Sequence, residues 1–379
     1  MAAPWDGVRV MIVTESFLPS VNGVTGSVLR VVEHLRHRGC PALVVAPEGG
    51  PDEHEGTPVV RVPALSIPRG PVLPVGLPTR RLQEAAVAFA PDVVHLASPF
   101  VLGASGLAAA RRLGVPTVAV YQTDVAGFAR AYGAGPTART AWRWTCRLHR
   151  QAGRTLAPSG VTAEALTAAG VPRVHRWGRG VDAARFAPAH HDAALRARLA
   201  PRGELLVGYV GRLAPEKDVE RLAALADLDG VRLVVVGDGP TRARLERLLP
   251  GAAFLGMLTG DALGAAYATL DVFVHTGPFE TFGQAVQEAM ASGVPVVAPD
   301  AGGPRELVRH GRTGYLVPPG SSAALRAAVV ALRDDPVLRC SFGRAGRRAV
   351  LGRSWPAVCE ELLGHYRAVV ERARPPRAA

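Results

Sequence analysis

The sequence predicts an α/β chain of two domains, each built on a parallel, doubly wound sheet, and three observations carry that prediction. The length, 379 residues, is enough for two domains of ordinary size, each with its own core. Short apolar runs that read as buried strands alternate with stretches of helical period. Glycine and proline gather in several of the turns that follow those runs, which is the edge where open α/β sheets bind ligands.

Taken in order, Val8–Val13 is a first strand, followed by a loop over Thr14–Thr25 and a helix from about Gly26 to Arg38 that Gly39 ends. Strands are expected at Ala42–Ala46, Val59–Val62, Val93–Leu96, Thr117–Tyr121 and Thr155–Pro158, with helices near Pro78–Phe89, Leu102–Leu113 and Ser159–Ala169. Pro63–Pro78 reads as a loop. A glycine-rich turn, Trp177–Asp182, closes a first domain of residues 1–185, and 186–203 reads as a linker with one short helix. The second domain, 204–354, carries strands at Leu205–Val210, Val231–Val236, Asp271–His275, Val294–Ala298 and Gly314–Val317. Helices at Ser321–Arg333, Pro336–Leu351 and Trp355 to about Arg372 complete the chain.

Composition narrows the function. No stretch approaches the roughly 20 apolar residues of a membrane span, and the first residues lack the pattern of a signal peptide, so a cytoplasmic protein is expected. Four scattered cysteines form no metal-binding spacing. The net charge of +12 lies mainly in the first domain, where 20 arginines face 12 carboxylates. Arg139, Arg143, Arg147, Arg150 and Arg154 fall on one helical stripe, with Trp142 and Trp144 on the same helix, a pattern suited either to an anionic membrane surface or to an ordinary solvated face. Of the 44 basic residues only Lys217 is lysine, which marks it as a place that needs a compact ammonium, such as a phosphate contact.

The richest stretch for chemistry is Phe279–Met290. Glu280 and Glu288, separated by seven residues, lie across a strand-to-helix corner. Thr281, Phe282 and Gly283 present main-chain N–H groups at the start of the helix Gln284–Ser292, where the dipole favours phosphate oxygens. Glu288 suits a ribose diol and Glu280 suits sugar hydroxyls, although two solvated surface glutamates would give the same spacing. Gly211 and Arg212 open a segment that ends at Lys217, and no G-K-[ST] follows, so it is not a P-loop. Neither Asn22-Gly23 nor Gly237-Asp238-Gly239 completes a dinucleotide fingerprint, which removes the main support for an oxidoreductase. Asp227-Leu228-Asp229 precedes a strand and reads as a loop, not a metal motif.

These residues resemble a known family. Glu280, Phe282, Gly283 and Glu288 match the E-x7-E element of the retaining GT-B glycosyltransferases of glycosyltransferase family 4, which include bacterial GDP-mannose-dependent lipid α-mannosyltransferases. Arg212 and Lys217 match that family's G-R-x-x-x-x-K segment, and the similarity runs from about Val8 to the last helix. The resemblance implies the GT-B fold, two Rossmann-like domains with parallel sheets facing across a cleft, with residues 355–372 crossing back onto the first domain. It implies a hexose transferred from a nucleotide sugar, GDP-mannose in preference to a UDP-sugar, to a lipid or glycolipid acceptor, without a metal and without a specific nucleic-acid partner. Donor contacts are implied for Gly23, Gly211, Arg212, Lys217, Leu258, Asp261, Glu280, Thr281, Phe282, Gly283 and Glu288, with catalytic parts for Glu280, Arg212, Lys217 and Gln122. Asn22 and Asp124 are candidates for the acceptor. Gln122 stands where many members have a histidine beside the sugar, so a titrating group is missing there. A basic binding module without catalysis, and an epimerase on the same fold, are the other readings.

Overall fold

The computed structural model describes residues 7–65, 75–133 and 135–373. Two compact units result, one running to Arg179 and resuming at Trp355, the other spanning Gly180–Ser354.

The first unit contains strands β1 (Val10–Thr14), β2 (Ala42–Pro47), β3 (Glu53–His54), β4 (Thr57–Val62), β5 (Ala64–Leu65), β6 (Val75–Gly76), β7 (Val93–Ala97), β8 (Thr117–Val120), β9 (Arg154–Ala157) and β10 (Val174–Arg176). Its main sheet has the order β10-β9-β8-β7-β1-β2-β4-β3, parallel apart from the short β3–β4 pairing. Strand β1 is buried throughout. Because side chains alternate along it, Val10 and Ile12 join a core layer with Val28, Leu35, Leu362 and Tyr366, whereas Met11 and Val13 join another with Leu82, Leu107 and Leu148. The final helix, Trp355–Ala373, buries Val358, Leu362, Leu363, Tyr366 and Val370 in the first of these layers, as its spacing predicts. Tyr366 is anchored there through a 2.6 Å hydrogen bond with His95 Nδ1. Burial drives the His95 imidazole down to about 3, so it is neutral.

The second unit contains β11 (Leu205–Val210), β12 (Val231–Val236), β13 (Ala253–Gly256), β14 (Val272–Val274), β15 (Val296–Pro299) and β16 (Gly314–Val317), all parallel in the order β13-β12-β11-β14-β15-β16. Strand order reverses between β11 and β14 here, and between β1 and β7 in the first unit. Such reversals open a crevice at the carboxyl edge of a sheet.

Several expectations are corrected. The first helix spans Gly23–His37 and begins three residues early, because the Asn22 side chain accepts from Val24 N and Thr25 N and caps it there. The unit boundary falls after Arg179, not after residue 185. The expected linker is structured: Phe186, Leu195, Leu199 and Ala200 are buried in the second core. Arg154 leaves the arginine stripe, since the helix Gly135–Gln151 ends before it and Arg154 opens β9. Within the expected loop Pro63–Pro78, β5 and β6 pair antiparallel, and residues 66–74 lie outside the described residues. No helix among the described residues is long and apolar enough to cross a membrane.

Candidate functional site

The sheet of the second unit brings its predicted residues to one edge. Gly211 and Arg212 follow β11, Glu280 follows β14, and these two strands are hydrogen-bonded neighbours at the reversal of strand order. The loop after β12 packs onto the loop after β11: a Cβ on Gly237 would lie 2.0 Å from Gly211 O, so only glycine fits. Gly237 and Gly239 thus serve close approach between loops, not a dinucleotide.

Lys217 ends a short turn, Pro215–Lys217, and its ammonium forms an ion pair with Glu280 Oε1. Both side chains are about one-fifth exposed. The Lys217 main chain is held independently, its N–H donating to Ala214 O (2.9 Å) and its carbonyl accepting from Thr276 Oγ1 (2.6 Å). Glu280 is fixed from behind, its carbonyl accepting from Gly303 N at 2.8 Å. This is the task of the Pro299–Pro304 turn, where a Cβ on Gly302 would meet Glu280 O at 2.3 Å. Arg212 pairs with Glu216, whose side chain is fully buried and whose second oxygen, Oε2, has no hydrogen-bond partner among the described residues. Tyr209, at the end of β11, donates to Arg212 O at 3.1 Å, and burial followed by the Glu280 and Glu216 carboxylates raises its pKa well above the phenol value.

The helix after Glu280 is Gln284–Ala291, and Gly283 at its N-cap has φ 97°, in the left-handed region. Phe282 is buried. Glu288 accepts from Tyr267 OH (3.1 Å) and from Gln284 Nε2 (3.2 Å). Burial first, then Glu288, raises the Tyr267 pKa, and Tyr209 adds to the same effect. Leu258 is half-buried after β13. Asp261 does not cap the following helix, whose N-cap is Thr259; its carboxylate is 99% exposed and 3.9 Å from Arg185 Nε.

The other predicted residues belong to the first unit. Asn22 is committed to capping, and its Nδ2 donates to Ser16 Oγ at 2.7 Å. Asp124 caps the helix Val125–Ala131 by accepting from Gly127 N at 2.8 Å. Gln122 and Gly23 meet at Arg179, which donates to Gln122 Oε1 (2.8 Å) and to Gly23 O (2.6 Å). Gln122 therefore turns its oxygen to a buried guanidinium. Near the strand reversal of this sheet, Glu15 accepts from Phe100 N and Gly103 N, and burial raises its pKa against those bonds.

Sequence reasoning missed Arg179, Glu216, His275, Tyr267 and Glu15. Arg179 and Glu216 were within reach, since each adjoins a motif residue; Tyr267 carried no local signal. His275 ends the predicted strand and is 3% exposed, with Nε2 3.8 Å from Glu280 Oε1. Burial first, with Lys217 acting the same way and Glu280 and the Gly277 backbone opposing, lowers it to about 4. No cluster of three or more His, Cys, Asp or Glu side chains able to hold a metal occurs among the described residues.

Comparison with known proteins now decides the family. The family described as Glycosyltransferase Family 4 matches residues 21–185, and Glycosyl transferases group 1 matches residues 192–349. A GDP-mannose-dependent alpha-mannosyltransferase of Mycobacterium tuberculosis is 58% identical over 370 residues, covering 96% of this chain and 97% of that protein. This chain is a family 4 glycosyltransferase. A protein of the same name from Mycolicibacterium smegmatis is 57% identical and covers 98% of the transferase and 100% of its own length. The solved structure of HepE from Anabaena in complex with UDP superposes with a TM-score of 0.79 at 22% identity, covering 95% of the transferase and all of that chain, which shows that the transferase has the GT-B fold.

Proposed function

We propose that the transferase moves mannose from GDP-mannose, with retention of configuration, to a hydroxyl of a lipid or glycolipid acceptor. The observation that carries this reading is that relatives 57–58% identical over nearly the whole chain are GDP-mannose-dependent alpha-mannosyltransferases, combined with Arg212, Lys217, Glu280 and Glu288 at one sheet edge. Lys217 and Arg212 exchange their carboxylate partners for the diphosphate, and the main chain at Thr281–Gly283 adds to the same field. Glu288 holds the ribose, Glu280 the mannose hydroxyls, and Leu258 and Asp261 the guanine. Gln122 and Gly23 are assigned to the sugar and diphosphate, Asn22 and Asp124 to the acceptor.

In the chemical step the bond from C1 to the diphosphate oxygen breaks and leaves its electron pair on that oxygen. The acceptor oxygen bonds to C1 on the same face, and its proton passes to the departing phosphate. Two cations stabilise the charge that grows there, so no divalent metal is required. Purified protein with GDP-mannose is expected to release GDP, faster with a lipid extract and equally fast with a chelator. Faster release from UDP-glucose or UDP-N-acetylglucosamine would replace the donor. Salt-sensitive nucleic-acid binding without any nucleotide release would replace enzyme with binding module.

Membrane contact belongs to the same reading, at the cytoplasmic face. Arg139, Arg143, Arg147 and Arg150 are exposed along Gly135–Gln151, and Trp144 is 37% exposed. Trp142 is instead packed edge-on against Tyr121. A basic group near an anionic surface is worth about 1 kcal/mol. Replacing the four arginines by serine is therefore expected to weaken sedimentation with phosphatidylserine vesicles at least about tenfold, and unchanged sedimentation would remove this surface.

A further inference from the structure

A buried tyrosine needs a partner for its hydroxyl, and the partner that Tyr267 finds is the carboxylate assigned to the ribose. Tyr267 stands in the helix Gly260–Thr269 and is fully buried, in a core cluster with Phe186, Leu270, Phe273 and Val286. Its ring meets Phe186 edge-on at 5.5 Å between centroids and lies tilted against Phe273 at 5.8 Å. Phenylalanine would fill that place too, so packing alone does not call for the hydroxyl.

We infer that Tyr267 is the positioning residue for Glu288: its phenol, fixed by the core, sets the plane of the carboxylate that accepts from the ribose hydroxyls. Tyr267 OH lies 3.1 Å from Glu288 Oε2, and Gln284 Nε2 lies 3.2 Å from Oε1, so each carboxylate oxygen has a donor. These two donors are not equivalent. Gln284 stands one turn before Glu288 on the same helix and moves with it, although its amide also donates to Gly180 O at 3.2 Å. Tyr267 comes from another helix, 21 positions earlier, and its ring cannot swing without displacing Phe186 and Phe273. It therefore ties the carboxylate to the core. Burial first, then Glu288, keeps the phenol protonated, so the hydroxyl donates and the carboxylate accepts. A vicinal diol presents two donors at a fixed separation, and it responds to carboxylate orientations that a single hydroxyl would accept alike. Glu288 is only half-buried, unlike the phenol behind it.

This rests on the proposed ribose role of Glu288, and the test separates the two. Tyr267→Phe keeps the ring and removes the hydroxyl. It is expected to weaken GDP about tenfold, while 2′,3′-dideoxy-GDP, which lacks the diol, binds within about twofold of its affinity for the parent. A role confined to packing would weaken both ligands alike or neither, and either result would overturn the positioning role. In Glu288→Ala the same tyrosine substitution should change GDP affinity by less than about twofold, because no carboxylate is left to aim. A further tenfold loss there would also overturn it. A second measurement needs no nucleotide. The drop in thermal midpoint caused by Tyr267→Phe should shrink by at least about half when Glu288 is already alanine. Equal drops in both backgrounds would mean that Tyr267 does not hold Glu288, whatever the donor proves to be. If the thermal effects are coupled and the parent binds GDP and its dideoxy form equally well, the ribose assignment of Glu288 is wrong and the hold of Tyr267 on the carboxylate stands.

Discussion

Lys217→Ala is expected to lower turnover with the nucleotide sugar about a thousandfold while the protein stays folded. The argument has two halves. On the proposed reading the ammonium stands where charge grows on the departing diphosphate, and removal of one such group from a preorganised site costs about a hundred- to a thousandfold. The fold does not depend on that side chain, because Ala214 and Thr276 hold the Lys217 backbone and Gly277 packs against its Cα. Stability should fall by about 2 kcal/mol, between the small value of an exposed pair and the larger one of a buried pair, since Glu280 loses its counter-charge while one-fifth exposed. Lys217→Arg should rescue poorly, because a planar fork cannot occupy the space of a compact ammonium. Nucleoside diphosphate release and a circular dichroism spectrum check both halves; retention of more than a tenth of the activity in a folded protein would remove the phosphate role.

The residues of that site differ in how far sequence reveals them. Parallel strands buried on both faces must be apolar along their length, so β1 and β11 stood out as continuous runs. Lys217 stood out because arginine has replaced every other lysine, and Glu280 and Glu288 because of their spacing across a corner. Helix starts were less legible. Gly26, the expected start of the first helix, costs about 1 kcal/mol against alanine inside one, yet the Asn22 cap and the buried Val24, Thr25 and Val28 carry the helix through it. The arginine period ran on past Gln151 into β9 because a spacing of four says nothing about the break at Gly153. Partnerships were not legible at all. Arg179 finds Gln122 from 57 positions away and Lys217 finds Glu280 from 63, so the state of each polar group depends on the completed sheet.

Glu280→Ala should cut turnover without weakening nucleotide binding, which distinguishes a sugar contact from a merely structural acid. The Glu280 carboxylate pairs with the Lys217 ammonium, so it competes with a diphosphate for the same charge. Its removal frees Lys217, and GDP is expected to bind as tightly as before or up to about tenfold more tightly, an exchange of about 1.4 kcal/mol. Turnover should nevertheless fall at least about a hundredfold, because the mannose loses an acceptor for its hydroxyls and with it the orientation of C1 toward the incoming oxygen. The backbone of this loop is held by Gly303 through the Glu280 carbonyl, a contact that alanine keeps, so the turn and the helix at Gln284 should remain in place. Glu280→Gln refines the comparison: it retains hydrogen bonding and loses the charge, and GDP affinity should follow the alanine variant while kcat lies between alanine and the parent. Isothermal titration with GDP, set beside kcat for GDP-mannose, gives both quantities. Weaker GDP binding in both variants would place Glu280 on the diphosphate side of the site, and an unchanged kcat would remove it from the sugar.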